Sequence, residues 1–235
     1  MTNDREAVYV LINSPLVGPY TWALVGEELR RSGLRVAIPA LDSSQKRSFA
    51  YWDQHASAVA DTLGSVSPEI PIILVAHSGA GPLLPAIRQK LQLPVAAYIF
   101  VDAGWPQDGK SRLDLFGDEE EINAFRNVAQ NGLLPVWTDM DLRDEIPDDI
   151  VRARFVSEFT PLPLEVYEEP LPVFPGWPDA PCGYIRFGDN PAYDEAFQTA
   201  ERLGCETLRL EGSHLYMLVE PEKVSQAILK IAARL

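Results

Sequence analysis

Short continuous apolar runs at residues 8–12, 34–38, 70–76 and 95–101 alternate with stretches at about 20–32, 49–65 and 79–91 whose apolar positions recur at helical spacing. The runs are rich in β-branched residues and bounded by turn formers, so they predict strands buried on both faces, as in a parallel sheet. Repeated strand-then-helix units imply right-handed crossovers with helices covering both faces. From residue 104 the alternation stops. Seven of the twenty prolines fall between positions 161 and 181, and one helix-like stretch stands out at 118–131. Proline is excluded from central strands, so this block predicts an insertion packed over the sheet's edge. Alternation resumes with a strand at 182–187, a helix at 193–203, a strand at 205–210 and a last helix at 222–235. The predicted organisation is an α/β core formed by residues 1–103 and 182–235, with a mostly parallel sheet of about six strands, interrupted by a cap of residues 104–181.

Composition sharpens this picture by exclusion. Hydrophobic residues make up 46% and charged residues 23% of the 235-residue chain, which is enough to bury a core without disulfides or structural metal. Asp and Glu number 34 against 20 Lys and Arg, giving a formal net charge of −14. Such a surface repels phosphate backbones, so no nucleic-acid partner is expected. The N-terminus, Met-Thr-Asn-Asp-Arg-Glu, lacks the apolar stretch of a secretory signal, and no apolar run is long enough to span a bilayer. A cytoplasmic protein with no membrane partner is the expectation. Cys182 and Cys205 have no metal-ligand or redox spacing and read as buried thiols. No dinucleotide-binding glycine fingerprint and no metal-ligand cluster occurs, so no cofactor and no metal are expected. Oligomeric state is not encoded in any pattern found.

The segment Val75-Ala76-His77-Ser78-Gly79-Ala80-Gly81 closes an apolar strand and opens a helix. Small-x-Ser-x-small in that setting is the context of a nucleophile elbow, in which the sharp turn brings Ala76 and Ala80 together and holds Ser78 strained. A nucleophilic serine needs a base, and the chain has three histidines. His77 adjoins the serine on the turn, where its ring should point away from Oγ. His55 lies in a predicted helix and reads as a surface or packing residue. His214 remains, after the last strand, consistent with the chain order serine, acid, histidine.

These residues, with the segment from Tyr9 to Trp22 and with Pro181-Cys182-Gly183-Tyr184-Ile185 and Gly212-Ser213-His214, resemble the α/β-hydrolase superfamily, in particular its small esterases and hydroxynitrile lyases. The resemblance implies the α/β-hydrolase fold and an acid after strand 182–187, which nominates Asp189. Matched without gaps from Tyr184, the hydroxynitrile-lyase acid falls on Asn190. Some members carry the acid after the preceding strand, which here nominates Asp102. Asp102 and Asp189 are both retained, ahead of Asp194, which reads as a solvated carboxylate at a helix start. The resemblance also implies two oxyanion donors: the Gly79 N–H, and an N–H from the loop after the first strand. The matching position is Pro15, which has no N–H. Leu16 through a shifted loop, or a side chain such as Asn13 or Ser14, supplies the second donor, or the hole is incomplete.

The insertion carries Trp105, Phe116, Phe125, Trp137, Phe155, Phe159, Phe174 and Trp177. Most should build the cap's own core, and a minority should face Ser78, giving an apolar roof suited to a hydrophobic small molecule. The acidic runs at 118–121 and 139–145 read as solvated helix ends. The leading expectation is a serine hydrolase cleaving an ester or thioester with a Ser-His-Asp triad. The alternatives are a lyase, cyclase or isomerase using Ser78 and His214 for proton transfer, and a ligand-binding receptor on the same fold.

Overall fold

The computed structural model describes residues 7–115 and 118–235; the N-terminal residues 1–6 and the cap residue Phe116 lie outside the described residues. The chain runs β1 (Val8–Ile12), α1 (Ala23–Arg31), β2 (Arg35–Ala37), α2 (Tyr51–Thr62), β3 (Ile72–Ser78), α3 (Leu84–Lys90) and β4 (Val95–Ala103). The insertion follows with α4 (Glu119–Asn127), β5 (Leu133–Leu134), α5 (Asp149–Val156), β6 (Leu162–Pro163) and α6 (Glu165–Glu168). The core then resumes with β7 (Cys182–Phe187), α7 (Asp194–Arg202), β8 (Glu206–Leu210), α8 (Tyr216–Val219) and α9 (Pro221–Ala232).

Six strands form one parallel sheet in the order β2-β1-β3-β4-β7-β8, while β5 and β6 pair antiparallel in the insertion. Side chains alternate across the sheet with period two. In β3, Ile72, Leu74 and Ala76 pack with Ala56 and Val59 of α2 and with Ile87 of α3. Ile73 and Val75 face the opposite way, against Val25 of α1 and Ile228 and Ile231 of α9. Both faces are thus covered, which is why the sequence shows continuous apolar runs instead of alternation. The order reverses between β1 and β3, so a crevice opens beyond their carboxyl ends, the usual ligand position in open α/β sheets.

Among the described residues, the insertion contributes no strand to the sheet. It roofs the carboxyl ends of β1 and β3 instead of lying along the edge: Trp137, Leu142 and Glu145 line a cavity with Ser14, Ser78 and His214. Its aromatics also differ from expectation. Trp105 and Trp177 pack on Phe100 of β4, with ring centroids 4.6 and 6.3 Å away, and Phe155 joins the core on the other face. Among the described residues, a small cluster around Leu134, Leu162, Val166 and Tyr167, with Phe125 against it, is built mostly from the cap, and even this one takes in Tyr51 of α2. With 78 residues between its ends, the cap gains more by borrowing the sheet's apolar surface than by closing a second core. Among the described residues, no helix is long and apolar enough to cross a membrane.

Candidate active site

Ser78 ends β3 in the left-handed region, with φ 56°, and Ala76 and Ala80 beside it are fully buried. A non-glycine residue there is strained and persists only where its surroundings over-determine it. One strand away, Asp102 has φ 43°. The β3–β4 register slips between His77 and Ser78, so that His77 pairs with Val101 but Ser78 with Ala103, leaving Asp102 as the extra residue of a bulge. The Tyr184 hydroxyl holds the bulge, accepting the Ala103 N–H at 3.0 Å and donating to the Ala103 carbonyl at 2.5 Å. The bulge re-aims the Asp102 carboxylate from its strand toward the loop after β8.

There it meets His214. Asp102 Oδ2 accepts a hydrogen bond from His214 Nδ1 at 2.6 Å, and Asp102 is fully buried while His214 keeps 26% of its side chain exposed. Asp102 Oδ1 accepts from Arg186 Nη1 at 2.7 Å and from the Phe187 N–H at 3.2 Å. Arg186, fully buried in β7, also donates to the carbonyls of Phe187 and Asn190 and to Asp194 Oδ1. One guanidinium thus faces two carboxylates, and the cluster keeps one net negative charge to meet an imidazolium. Asp189 is exposed on the turn after β7 and takes no part in this cluster. Asp194, the first residue of α7, is half exposed as expected but is tied to Arg186 at 3.0 Å.

With Nδ1 donating to Asp102, His214 Nε2 is the acceptor nitrogen. It faces the Tyr193 hydroxyl at 3.5 Å, and the two rings stack with centroids 5.1 Å apart. The same hydroxyl lies 2.9 Å from Ser78 Oγ. A phenol therefore stands between serine and imidazole, and among the described residues no direct hydrogen bond joins Ser78 to His214. Burial holds the Tyr193 phenol above its ordinary range, so it is a neutral hydroxyl, able to accept one proton as it gives another. Tyr193 closes the short turn Pro191–Tyr193, which the Asn190 side chain caps by accepting the Ala192 N–H.

His77 points away from Oγ but not away from the site. Its Nε2 donates to the His214 carbonyl at 3.0 Å, and the two rings lie 4.4 Å apart. Complete burial, and secondarily His214, keep His77 neutral far below the ordinary imidazole range. His55 is buried, not at the surface, with Nε2 2.8 Å from Ser43 Oγ. Burial and, next, the Arg112 charge lower it to about 3.

On the other side of Ser78 the loop after β1 approaches. The Asn13 amide is occupied in shaping it, donating to the carbonyls of Ser14 and Val17 at 2.9 and 2.6 Å. The Leu16 N–H reaches only the Ser14 hydroxyl, at 3.4 Å. Ser14 Oγ and the Tyr167 hydroxyl of α6 share a hydrogen bond of 3.0 Å. Both crowd Gly79: a Cβ there would stand 2.7 Å from the Tyr167 oxygen and 3.1 Å from Ser14 Oγ, so a larger residue would push these hydroxyls aside. No described residue accepts the Gly79 N–H. The hydroxyls of Ser14 and Tyr167 thus gather where Pro15 has no N–H to offer.

The cavity above Ser78, about 210 Å³, is walled by Leu16, Val17, Trp137, Leu142 and Leu215 with Ser14, His77 and His214. Glu145, expected to be a solvated helix end, enters this wall with a buried Oε2 that has no partner. Among the described residues no group of three or more His, Cys, Asp or Glu is arranged to hold a metal.

The family model for the alpha/beta hydrolase family matches residues 10–227. The chain belongs to that family. A methylesterase from Arabidopsis thaliana, methylesterase 17, is 25% identical over 129 residues, 53% of this chain and 45% of the relative, so the match spans less than half of that relative's length. An extracellular alpha/beta-hydrolase from a Paenibacillus species superposes with a TM-score of 0.78 at 20% identity, covering 96% of this chain and 98% of its own. A pyrethroid hydrolase from Sphingobium faniae JZ-2 gives 0.68 at 18% identity, with 97% of each chain covered. Tomato methylketone synthase I, complexed with 2-tridecanone, gives 0.72 at 16% identity, covering 97% and 98%. At these identities the likeness concerns the fold.

Three residues of the cluster escape a reading of the sequence. Arg186 carried a signal: an arginine inside a strand buried on both faces demands a carboxylate partner. Tyr193 and Tyr167 carried none, because the one precedes α7 and the other lies within the four-residue α6, and each reaches the site through tertiary packing.

Proposed function

We propose that this protein is a serine hydrolase that cleaves an ester or thioester of a hydrophobic small molecule, with Ser78 as nucleophile, His214 as base and Asp102 as the orienting acid. The observation that carries the reading is the unbroken chain Ser78 Oγ, Tyr193 Oη, His214 Nε2, His214 Nδ1, Asp102, with spacings of 2.9, 3.5 and 2.6 Å at its three hydrogen bonds. Ser78 Oγ attacks the acyl carbon while its proton passes to the Tyr193 oxygen and the phenol's own proton passes to His214 Nε2. The imidazolium, paired with Asp102, then returns a proton to the departing alcohol or thiol. Water attacks the acyl-enzyme with the same base, releasing the acid and restoring Ser78. The oxyanion is held by the Gly79 N–H and by the Ser14 hydroxyl, which keeps its own proton when Tyr167 donates to it.

The apolar walls and limited volume of the cavity favour a compact hydrophobic group beside the scissile bond. The relative named as a methylesterase and the neighbour named as a pyrethroid hydrolase are in keeping with ester substrates. A second reading, proton transfer without an acyl-enzyme, is favoured by one observation, the missing N–H at Pro15. Turnover of p-nitrophenyl esters of graded chain length separates the two. Hydrolysis that Ser78→Ala abolishes supports the esterase; an intact Ser78 enzyme that turns over none of them supports the second reading.

A further inference from the structure

Cys182 and Cys205 are distant in sequence, with residues 183–204 between them, and the chain has no third cysteine. The fold brings them together. β7 and β8 run parallel in a register that pairs Gly183 with Glu206 and, at the far end, Phe187 with Leu210. Carried back one position, the same register sets Cys182, the first residue of β7, opposite Cys205, which leads into β8. Residues that face one another in register send their side chains to the same side of the sheet. Cys182 accordingly belongs to the apolar cluster that includes Ala196, Phe197 and Ala200 of α7, and Cys205 packs against that same cluster. Both are free thiols.

Neighbouring strands lie about 4.8 Å apart, within the Cα separation of about 4.4–6.8 Å that a disulfide spans. Cys205 follows Gly204, whose φ of 75° turns the chain out of α7, so it stands at the end of the ladder, where a small approach does not slip the register. The two thiols also differ in a way that suits exchange. Cys182 is buried, whereas Cys205 is only half-buried. The hydrogen bond between them, and secondarily burial, hold Cys182 above the ordinary thiol range, while the same hydrogen bond lowers Cys205. Thiolate is the attacking species, so Cys205 is the thiol that reacts first with a reagent from solution and Cys182 the one that resolves the product.

We propose that Cys182 and Cys205 are a disulfide-forming pair, a staple that ties β8 to β7 when a small-molecule disulfide serves as oxidant. Cys205 Sγ attacks one sulfur of the oxidant, breaking its S–S bond and releasing one thiolate. Cys182, giving its proton to solvent, then attacks Cys205 Sγ and displaces the second thiolate. The protein loses two electrons and two protons, and the oxidant becomes two thiols. What the bridge holds is an edge: β8 ends the sheet, pairs with β7 alone, and leads into the loop that carries His214. The bridge also closes a loop around α7 and so removes freedom from the unfolded chain. It lies at the amino ends of β7 and β8, while Ser78 ends β3 at the carboxyl end of the sheet, so it acts on stability and not on the chemistry of the site. The inference does not depend on the esterase reading.

The test equilibrates the full chain in graded ratios of reduced and oxidised glutathione, quenches with acid and alkylates with iodoacetamide in denaturant. With oxidised glutathione in excess, the intact mass should lie about 2 Da below that of the reduced, unalkylated chain, with a monomer on a non-reducing gel and one peptide pair joining Cys182 to Cys205. Tm should rise by about 5–10 °C over the reduced protein, and dithiothreitol should reverse the rise. Amide exchange in β8 should slow with the bridge in place, and Cys205→Ser should show no rise in Tm with oxidant. Two alkylated cysteines at every ratio, a lasting glutathione adduct on Cys205, or disulfide-linked dimers overturn the pair. A bridged protein whose Tm is unchanged or lower overturns the staple. The mass and Tm of the wild type decide both points even where Cys205→Ser does not fold.

Discussion

Replacing Tyr193 by Phe deletes one oxygen and keeps the ring that stacks on His214. That oxygen is 2.9 Å from Ser78 Oγ and 3.5 Å from His214 Nε2, and it is the hydrogen-bonded link between them. If the phenol relays the proton, its loss strands the nucleophile from its base. General-base assistance contributes roughly 10²- to 10⁴-fold, with each tenfold worth about 1.36 kcal/mol. A water entering the vacated space restores part of the path, so the lower half of the range applies: kcat should fall about 10²- to 10³-fold, or about 3–4 kcal/mol of transition-state stabilisation. KM should move little, because the apolar cavity lies on the other side of Ser78. Stopped-flow assay of a p-nitrophenyl ester reads acylation as the burst rate and deacylation as the steady rate, and both should slow, since both pass protons through the same oxygen. In mixtures of H₂O and D₂O the wild-type rate should show the curved dependence of two protons in flight, and Tyr193→Phe should lose or alter that curvature. An unchanged or faster burst in Tyr193→Phe refutes the relay and makes the phenol a plug that turnover must displace.

Asp102→Asn should lower kcat by up to about 10⁴-fold through the wrong imidazole tautomer, while Asp189→Asn, at an exposed turn, should match wild type. Arg186→Met leaves the Asp102 charge buried without its cation and should cost about 3–5 kcal/mol of stability, measured by urea unfolding. Ser14→Ala should reduce kcat by about 10²- to 10³-fold as a lost oxyanion donor, and adding Pro15→Ala, which restores an N–H, should recover part of it; no recovery removes the loop from the oxyanion account. His55 and His77 are neutral in the fold and lie below the ordinary value of 6.5, His55 at about 3. The unfolded chain therefore takes up protons first, and stability present above about pH 6.5 should decline as pH falls from there toward 3. His55→Gln should flatten that decline in Tm against pH, and a decline of unchanged slope would place its origin elsewhere.

The fold was legible because its signals are local. β1 and β7 run from Val8 to Ile12 and from Cys182 to Phe187, where the apolar runs end. β3 continues through Ser78 because the elbow itself finishes the strand. That Ser78 and His214 would stand at one candidate site was legible for a related reason: a strained serine between a strand and a helix leaves a sequence pattern, and three histidines leave few choices. Which of Asp102 and Asp189 lies against His214 was not legible, since a single bulge residue places Asp102 there and a one-residue slip in register is invisible to periodicity. The cap defeated sequence reasoning most. Trp105, Trp177 and Phe155 look like a separate core in one dimension, but they serve the sheet's own faces. Ser14, Tyr167 and Arg112 meet at Gly79 only because α6 folds back over the elbow.

Everything proposed for the site depends on Ser78 being a nucleophile activated by His214 and Asp102. Intact-mass measurement after treatment with a fluorophosphonate tests it most directly, since the reagent forms a stable Ser Oγ–phosphorus bond with loss of fluoride only where the serine is activated and the oxyanion site is competent. One adduct should form, mapped to the peptide containing Ser78, absent in Ser78→Ala and strongly slowed in His214→Ala and Asp102→Asn. An unmodified wild-type protein, or an adduct that persists in Ser78→Ala, would contradict it.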